Sequence, residues 1–546
     1  MPKKKQQPVT NDLPVPHSSN SSYQSYIQDN PKVAADAFVT AVKALREPQP
    51  EPLSTERFRK SDRLQMALAG TRNRIGASCN VYECEDSIES IAKAHAWALH
   101  VCHQQGAPSI YYGNLRPRGS SIATGGVSGG AVPFMHMLDA VVHEIKRDTY
   151  KKGAGIGWLP WWHLDLREFL AADFKSLYRG VLLPEQDDIS GWRALYDHNA
   201  DVVELLVSAY DAGKCFLCKQ PKPHPDGRKR FRNLCTEVEL VSEDMCVLGV
   251  VNLSQYTPDN IRDLPEDFSI AATSMLNDCR LVWDIKSRST LASSTNGDER
   301  QFGLGVSGLA SMLANWGVSY TEFTGVLHEV ISQSHPSIEA IATEALELHN
   351  SVERPATLLV ASICAAYERA THVLRGSVVR AFCVQPSATG AYECADASGY
   401  HSSPELQPVI GVRDKSGVHT MRKSQLKGDT LVTFHPATET IEDVSYATYA
   451  LLSSCWQLLM DSTGLAHAHS GCFYGREFTK DDLVVFTRSS RRNLYYRLPY
   501  YNPAAIDKSS VGEGLALDEN FSLDSLLVGG ECSLQKPGDN DCGCTG

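Results

Sequence analysis

The sequence lacks most of the features by which membrane, secreted and nucleic-acid-binding proteins are recognised. Its 546 residues contain no uninterrupted apolar run of membrane-spanning length, because the nearest candidate, 356–374, carries Glu368 and Arg369. Residues 1–30 are rich in proline, serine, asparagine and glutamine and contain no apolar segment typical of a secretory signal. Basic residues number 52 against 64 acidic ones, a net charge of −12, which argues against a general nucleic-acid binder. We therefore expect a soluble cytoplasmic protein that binds neither membranes nor nucleic acid.

Two common ligand-binding signatures are incomplete or absent as well. Cys215 and Cys218 form a Cys-x-x-Cys pair with His224 nearby, but the second pair expected of a zinc finger is missing. The Gly-Lys-Ser/Thr end of a Walker phosphate-binding loop is not present either. We therefore predict no metal site in this chain. A zinc-binding scaffold built on Cys215 and Cys218 is a competing hypothesis that metal analysis would test.

Cysteine, by contrast, is plentiful, with 16 residues in the chain. In a reducing compartment most of these would be free thiols. Three of them, Cys532, Cys542 and Cys544, lie within the last fifteen residues. Thiols at a mobile chain end are unusual for a structural protein, so their placement indicates thiol–disulfide exchange.

Composition divides the chain into four segments. Residues 1–30 are predicted to be a disordered tail, and 31–72 a short helical region. Residues 73–503 are predicted to form the main folded domain. After Pro503 the chain turns acidic and glycine-rich, so 504–546 is predicted to be a flexible tail that carries the terminal thiols.

The most informative stretch is Asn-Leu-Cys-Thr-Glu at 233–237. In an extended segment, Asn233, Cys235 and Glu237 would point to one face and bring an amide, a thiol and a carboxylate together. The amide can hold a hydroxyl, the carboxylate can move a proton, and the sulfur can carry a radical or an electron pair. Taken alone the pattern is weak, because a cysteine among apolar neighbours is more often a small buried hydrophobe.

Two loops are also of interest. One combines small residues with hydroxyls before a predicted helix start, where free N–H groups and a positive helix end can hold an anion. The other is basic and rich in glycine. The residues of the two loops are Pro386, Ser387, Ala388, Thr389 and Gly390, and Lys151, Lys152, Gly153, Ala154 and Gly155.

In their order along the chain, these stretches resemble the catalytic (large) subunit of ribonucleotide reductase. Residues 233–237 are similar to the finger loop of that family, and 386–390 to its substrate-phosphate loop. Ser78 with Cys79, and the stretch that begins at Cys246, resemble the two strands that carry its reducing cysteine pair. Residues 151–157, together with Trp-His-Leu-Asp at 162–165, are similar to the segment that links effector to substrate choice. The resemblance covers roughly residues 70 to 500, and five motifs in the right order are a strong match.

The resemblance implies an α/β fold, namely a ten-stranded α/β barrel of two antiparallel-arranged five-stranded halves with the finger loop at its centre. It also implies a compact form of the family, because 1–70 are too short and too polar for the N-terminal activity-regulating nucleotide domain. The expected assembly is a homodimer that binds ribonucleotide substrates and nucleoside triphosphate effectors, the latter through 151–155.

By the same resemblance, Cys235 would carry a thiyl radical that takes the 3′ hydrogen of the substrate ribose. Glu237 would accept the 3′-hydroxyl proton, and Asn233 and Ser78 would position the sugar hydroxyls. Cys79 and Cys246 would supply two electrons and a proton and close to a disulfide, which requires that they meet in space.

The resemblance also implies how that disulfide is reduced again. Cys542 and Cys544 would exchange with it, and thioredoxin or glutaredoxin would then reset the terminal pair. The Cys-Gly-Cys spacing is tighter than Cys-x-x-Cys, which leaves Cys532 open as an alternative participant.

The radical source is left with two alternatives. Tyr495 and Tyr496 resemble the tyrosine dyad of class I enzymes, which receive the radical from a separate ferritin-like small subunit with a dimetal (Fe or Mn) centre. If the two tyrosines are packing residues instead, an adenosylcobalamin-dependent enzyme is the alternative. Glu237 and the two reducing thiols argue against the anaerobic, formate-using type.

A competing hypothesis, which is not an enzyme, is a nucleotide-binding relative that lost catalysis. Such a protein would have no need of a C-terminal dithiol.

Overall fold

The structure is a computed structural model that describes residues 53–61, 64–65, 68, 76–104, 106–145, 153–287, 301–333, 336–384, 395–424, 428–495 and 497. The tails expected over 1–30 and 504–546 lie outside these residues, as does most of 31–72. In the part of the chain that the structure describes, no helix combines the length and the apolar character needed to cross a membrane.

Strands and helices alternate over much of the chain, which is typical of an α/β fold. The strands are β1 (Phe58–Lys60), β2 (Cys79–Glu83), β3 (Ala107–Tyr111), β4 (Gly155–Pro160), β5 (Leu177–Leu183), β6 (Phe216–Lys219), β7 (Arg230–Arg232), β8 (Glu239–Val241), β9 (Met245–Asn252), β10 (Gln301–Ser307), β11 (Arg380–Val384), β12 (Val412–Arg413), β13 (Val418–Ser424), β14 (Gly428–Phe434), β15 (Ala466–His469) and β16 (Asn493–Leu494). The helices are α1 (Ile88–His103), α2 (Val132–Glu144), α3 (Leu166–Ala171), α4 (Ile189–His198), α5 (Ala200–Asp211), α6 (Leu264–Ser287), α7 (Leu309–Trp316), α8 (Tyr320–Gln333), α9 (Ile338–Ser351), α10 (Pro355–Leu374), α11 (Tyr446–Ser462) and α12 (Lys480–Arg488).

Ten of these strands form the wall of one barrel, in the order β15-β11-β10-β9-β2-β3-β4-β5-β6-β16. Strands β2 to β6 are parallel to one another, and so are β9, β10, β11 and β15. The two groups run antiparallel where β2 meets β9. Strand β16 runs antiparallel to β6 and therefore belongs with the second group. This arrangement confirms the predicted ten-stranded α/β barrel of two antiparallel five-stranded halves.

The wall closes between its first and last strands just beyond β15 and β16. The Tyr495 N–H donates to Gly471 O at 2.8 Å, and Phe473 forms a parallel bridge with Arg497. Because these backbone contacts join the two ends of the sheet, the inner face is surrounded by strands.

Residues 58–60 lie in the region that was expected to be helical, but they form strand β1. Strand β2 pairs with β9 only at Met245 and Cys246, so the rest of this edge of β9 has no partner in β2. Strand β1 covers it by pairing antiparallel with β9 from Gly249 to Val251. The helical expectation for 31–72 is therefore wrong at 58–60, because an open strand edge decided the conformation and local propensity does not reveal such an edge.

Alternate residues of a barrel strand face in opposite directions. In β9, Cys246 and Leu248 join the apolar interior of the barrel, whereas Val247 and Val251 pack outward into the cluster formed with the helices. Because both faces of the wall are covered, strands such as β9 are nearly continuous apolar runs in the sequence.

The interior is tightly filled around Trp158 on β4, whose side chain is 1% exposed. Its Nε1 donates to Ser109 Oγ at 2.8 Å, and Ser109 Oγ donates to Arg232 O at 2.6 Å. Gly180 lies opposite Trp158 on the neighbouring strand β5. A Cβ at position 180 would lie 2.1 Å from the indole ring, so the glycine leaves the space that the tryptophan fills.

Gly180→Ala is therefore expected to lower the free energy of unfolding by about 1–3 kcal/mol, because an added methyl group overpacks a full interior. The midpoint of urea denaturation measures the change. Gly325→Ala is the matched control, because position 325 lies on the exposed side of α8 with no atom within 4 Å of an added Cβ. Alanine there is expected to be neutral or to stabilise by up to about 1 kcal/mol. Equal midpoints for the two variants would contradict this account of the interior.

Candidate active site

A short hairpin formed by β7 and β8 lies inside the barrel, and its loop carries residues 233–238. The two strands pair antiparallel, with Arg232 opposite Glu239. Phe231 and Leu240 pack into the apolar interior cluster together with side chains of the barrel wall. Apolar side chains therefore anchor the hairpin within the barrel, in the position expected of the finger loop.

The loop itself is turned rather than extended. Thr236 has a positive φ of 68°, and the Val238 N–H donates to Asn233 Oδ1 at 3.1 Å across the loop. Asn233 and Glu237 are nevertheless brought together, with Asn233 Nδ2 donating to Glu237 Oε1 at 2.9 Å. The expectation that strand alternation aligns these side chains is therefore wrong, because the turn joins them.

The barrel wall supports the loop from β15 and β16. Ser470 Oγ donates to Cys235 O, and it also lies 3.0 Å from Thr236 Oγ1. Asn493 Nδ2 donates to Thr236 O at 3.1 Å. These contacts hold the backbone carbonyl groups of Cys235 and Thr236, and no sequence signal singled out Ser470 or Asn493 for this role.

Cys79 and Cys246 lie directly opposite each other where β2 pairs with β9. Opposed residues of an antiparallel pair have Cα atoms about 4.5 to 5.5 Å apart, which lies within the range that a disulfide requires. Both residues are buried free thiols in this structure. The two cysteines thus meet the geometric condition for the predicted reducing pair.

Asn233 connects this thiol pair to the loop. Its Nδ2 donates to Cys79 Sγ at 3.1 Å as well as to the Glu237 carboxylate. The Cys79 thiol donates to Glu237 Oε1 at 3.8 Å, and Ser78 Oγ lies 3.7 Å from Cys79 Sγ. A thiol, an amide, a carboxyl group and a hydroxyl therefore converge on one small volume inside the barrel.

Burial controls the ionisation of these groups. It raises the pKa of Glu237 to about 7, although hydrogen bonds from Asn233 and Cys79 act in the opposite direction. Burial likewise raises the pKa of Cys79 and of Cys246 well above the ordinary thiol value. Both thiols are therefore protonated at neutral pH, whereas Glu237 can gain or lose a proton near pH 7. Among the described residues, the buried Glu237 Oε2 has no hydrogen-bond partner, so its capacity to accept a hydrogen bond is unused.

Cys235 is more exposed than the other two cysteines. It is half-buried and packs against the same interior cluster that contains Cys79 and Cys246. Tyr495 belongs to this cluster as well, and its ring centroid lies 4.6 Å from that of Phe216. The structure thus brings Tyr495 and Cys235 into one apolar cluster with the thiol pair.

Several predicted site residues lie outside the described residues. They are Tyr496, Pro386, Ser387, Ala388, Thr389, Gly390, Lys151, Lys152, Cys532, Cys542 and Cys544. Of the basic, glycine-rich loop, Gly153, Ala154 and Gly155 are described, and all three are buried where the chain enters β4. Effector binding by this loop stays a prediction.

Cys215 and Cys218 do not form a spatial pair. Cys215 packs in the cluster outside the barrel wall, whereas Cys218 belongs to the interior cluster. Side chains three positions apart in an extended segment point to opposite faces, which separates the two sulfurs. His224 lies 2.8 Å from Asp226. The zinc-scaffold hypothesis built on this cysteine pair is therefore wrong.

Beneath the loop lies a buried charge cluster that the sequence does not reveal. Glu239 pairs with Arg232 at 3.1 Å, with Arg380 at 2.6 Å and with Arg492 at 3.1 Å. Burial alone would raise the pKa of Glu239, but the three guanidinium groups outweigh it and hold the pKa well below its ordinary value. Arg232 Nη1 also donates to Thr236 O at 3.1 Å, which ties this cluster directly to the loop.

The sequence matches the family model described as "Ribonucleotide reductase, barrel domain" over residues 77–177 and 220–346. It is 26% identical over 314 residues to the vitamin B12-dependent ribonucleoside-diphosphate reductase of Mycobacterium tuberculosis, over 50% of this chain and 45% of that protein. It is 27% identical over 338 residues to the ribonucleoside-diphosphate reductase subunit alpha of Chlamydia muridarum, over 48% of this chain and 32% of that protein. The chain thus spans less than half the length of these relatives.

The fold is similar to that of the Actinobacillus ureae class Id ribonucleotide reductase alpha subunit, with a TM-score of 0.61 and 16% sequence identity. The superposition covers 89% of this chain and 97% of that one. The residues matched by the family model include β2, β9 and the hairpin loop, and hence Cys79, Cys246 and Cys235. Over residues 77–177 and 220–346, the chain thus matches the barrel domain of ribonucleotide reductase.

Proposed function

We propose that this chain is the catalytic subunit of a ribonucleotide reductase, which converts ribonucleoside diphosphates to 2′-deoxyribonucleotides for DNA synthesis. The observation that carries the proposal is the convergence of Cys79, Asn233 and Glu237, at distances of 2.9, 3.1 and 3.8 Å, beside the strand position of Cys246. The matched relatives are named as ribonucleoside-diphosphate reductases, which supports a diphosphate substrate.

In the proposed reaction, a thiyl radical on Cys235 takes the 3′ hydrogen atom of the ribose, and ionised Glu237 accepts the 3′-hydroxyl proton. The 2′ carbon–oxygen bond then breaks, and the oxygen leaves as water with a proton from a thiol. Cys79 and Cys246 together give up two electrons and two protons, and their sulfurs join in a disulfide. One proton leaves with the water, and the second proton and the two electrons complete the reduction that places a hydrogen on the 2′ carbon. Cys235 finally returns the hydrogen atom to the 3′ carbon and regains its radical, and Glu237 returns its proton to the 3′ oxygen. Asn233 and Ser78 hold the sugar hydroxyls during these steps.

The disulfide must be reduced before a second turnover. Cys542 and Cys544, or Cys532 in place of one of them, exchange with it in this proposal, and thioredoxin or glutaredoxin then reduces the tail. The chain works as a homodimer, with nucleoside triphosphate effectors acting through residues 151–155. The redox function of the tail is supported by three cysteines within the last fifteen residues.

For the radical source we favour a relay through Tyr495 and Tyr496 from a ferritin-like small subunit. A dimetal centre in that partner would supply the oxidising equivalent. The buried position of Tyr495 in the same cluster as Cys235 supports the relay. The matched relatives include vitamin B12-dependent enzymes as well as alpha subunits, so adenosylcobalamin is the alternative source.

Cys235→Ser is expected to abolish reduction of all four ribonucleotides while folding and substrate binding stay nearly unchanged. The hydroxyl keeps the volume of the side chain, but its O–H bond is too strong for the oxygen to replace the thiyl radical. Deoxyribonucleotide formed per chain over many turnovers is the measurement.

Cys84→Ser is the matched control for that variant. Cys84 is a buried thiol outside the barrel interior, and its Sγ already contacts the polar Glu85 O at 3.8 Å. This variant should keep its activity. More than trace turnover by Cys235→Ser would remove Cys235 from the mechanism.

The pH dependence should report the ionisation of Glu237. Its folded pKa of about 7 means that the carboxylate needed as a proton acceptor is scarce at pH 6 and abundant at pH 8. The single-turnover rate of prereduced protein is expected to rise with pH through about 7 and to level off above it. Glu237→Gln should lose both the rate and this dependence, and a wild-type rate that is flat from pH 6 to 8 would speak against Glu237 as the proton acceptor.

Replacing Tyr495 by phenylalanine decides the radical source. Phenylalanine keeps the ring and its packing against Phe216 and removes only the oxidisable phenol. Turnover with a metal-loaded ferritin-like subunit should therefore stop, while association with that subunit is unchanged in a pull-down titration. Tyr474→Phe is the matched control, because Tyr474 is a buried member of the same cluster whose hydroxyl donates to Val444 O at 3.1 Å. Activity of the isolated wild-type chain with adenosylcobalamin would overturn the relay.

A further inference from the structure

A large cleft opens at the end of the barrel opposite Ser78. Strands β2 to β6 end there and β11, β15 and β16 begin there, because the two halves are antiparallel. The cleft has a volume of about 1360 Å³ and is lined by residues that include Lys219, Arg491, Tyr446 and Phe486. We call it the basal cleft. Its size is above that of an ordinary small-molecule pocket, roughly 300–1,000 Å³.

Lys219, the last residue of β6, places a buried cation in the wall of the basal cleft. Its side chain is 1% exposed, and its ammonium group donates only to neutral oxygens: Gln186 Oε1, Thr487 O at 3.1 Å and Ser489 O at 2.7 Å. It also lies 4.7 Å from the centre of the Phe486 ring. Among the described carboxylates, none forms an ion pair with it.

Arg491 is a second buried cation in the same wall, with 3% exposure. Its Nη1 donates to Tyr446 Oη at 2.6 Å and its Nη2 to Cys472 O at 3.1 Å, and the group lies over the Tyr446 and Tyr449 rings at 5.8 and 5.9 Å. Its Nε has no hydrogen-bond partner in the described part of the chain, and no described carboxylate pairs with the group. The neighbouring Arg492 differs, because it pairs with Glu239 and Asp461.

Two buried and uncompensated positive charges are expensive, since burial without a counter-charge costs several kcal/mol per ion. The cost is visible at Lys219, where burial and the nearby charges of Arg491, Arg232 and Arg492 lower the pKa to about 7, against a small opposing effect of Asp187. An anion in the basal cleft would supply the missing counter-charge to both groups.

We propose that the basal cleft binds a phosphorylated small molecule, with its phosphate group between Lys219 and Arg491. Lys219 contributes a compact point charge, and the free Nε–H of Arg491 contributes a single directed donor. The apolar and aromatic walls, including Phe486 and Tyr446, would cover the rest of the ligand.

The site is connected to the Cys235 loop by hydrogen bonds. Lys219 O accepts from Arg232 Nε at 3.2 Å and from Arg232 Nη2 at 3.1 Å, and Arg232 Nη1 donates to Thr236 O. On the proposed function, a bound phosphate would steady the loop and raise kcat with little effect on KM for the ribonucleotide. Phosphate binding in the basal cleft does not itself depend on the proposed reductase function, so each of these two proposals can be wrong without the other.

Calorimetry with sulfate as the probe tests the site, because sulfate is a dianion that does not titrate near pH 7. Wild-type protein should bind sulfate at millimolar concentration. Above pH 7 its affinity for sulfate should fall by up to about tenfold per pH unit. Lys219→Met should weaken binding about tenfold or more. Lys222→Met is the matched control, since Lys222 lies at the same cleft but is exposed and paired with Asp187 at 2.6 Å. Unchanged binding by Lys219→Met would overturn the proposal.

Two further measurements keep the test decisive if Lys219→Met does not fold. At pH 8, sulfate binding to the wild-type chain should take up close to one proton, measured in two buffers of different ionisation enthalpy, because binding reprotonates Lys219. Binding without proton uptake would overturn the assignment to this lysine.

Inorganic pyrophosphate should bind at least as tightly as sulfate. Equal or tighter binding of malonate would instead assign the cleft to carboxylates and contradict a phosphate ligand.

Discussion

The ion pairs around Glu239 are the interaction on which the position of Cys235 depends. Glu239 and Arg232 are buried, whereas Arg380 and Arg492 are half-buried. Such a cluster is stable only if its buried charges are paired, because an uncompensated ion inside a protein costs several kcal/mol. The pairs form only when Arg232 lies opposite Glu239 in the hairpin. A slip of one residue would turn these side chains to the other face and break the pairs. The charges therefore specify the register of the loop that carries Cys235.

The same cluster separates two electrostatic environments within one barrel. On the side of Ser78, burial keeps Cys79 and Cys246 protonated and allows Glu237 to change its protonation state near neutral pH. On the other side, guanidinium and ammonium groups outnumber the carboxylates that face them. A chain of hydrogen bonds through Arg232 crosses between the two, from Lys219 O to Thr236 O. The thiol chemistry and the anion recognition that we propose would therefore lie in separate electrostatic environments of one barrel.

The antiparallel junction of the two barrel halves has a direct chemical consequence. Within each half the strands are parallel, and parallel neighbours need a crossover connection, which is usually a helix. Where β2 meets β9, the wall places two cysteines in direct antiparallel opposition, and there Cys79 faces Cys246. In the proposed mechanism this junction is what allows two distant cysteines to close a disulfide without moving the backbone.

The sequence by itself determined the residue types of the site through the motif at 233–237, and it predicted the α/β barrel through the resemblance of several motifs to one family. It did not determine how those residues meet. The turn at Thr236, the opposition of Cys79 and Cys246, and the separation of Cys215 from Cys218 by the barrel wall follow from strand register and from which face each side chain takes. Strand β1 and the pairing of Glu239 with Arg380 and Arg492 likewise join segments that are remote along the chain. Contacts of this kind carry no local signal, because what selects them is the cost of an open strand edge or an unpaired buried charge, and both exist only once the barrel has closed.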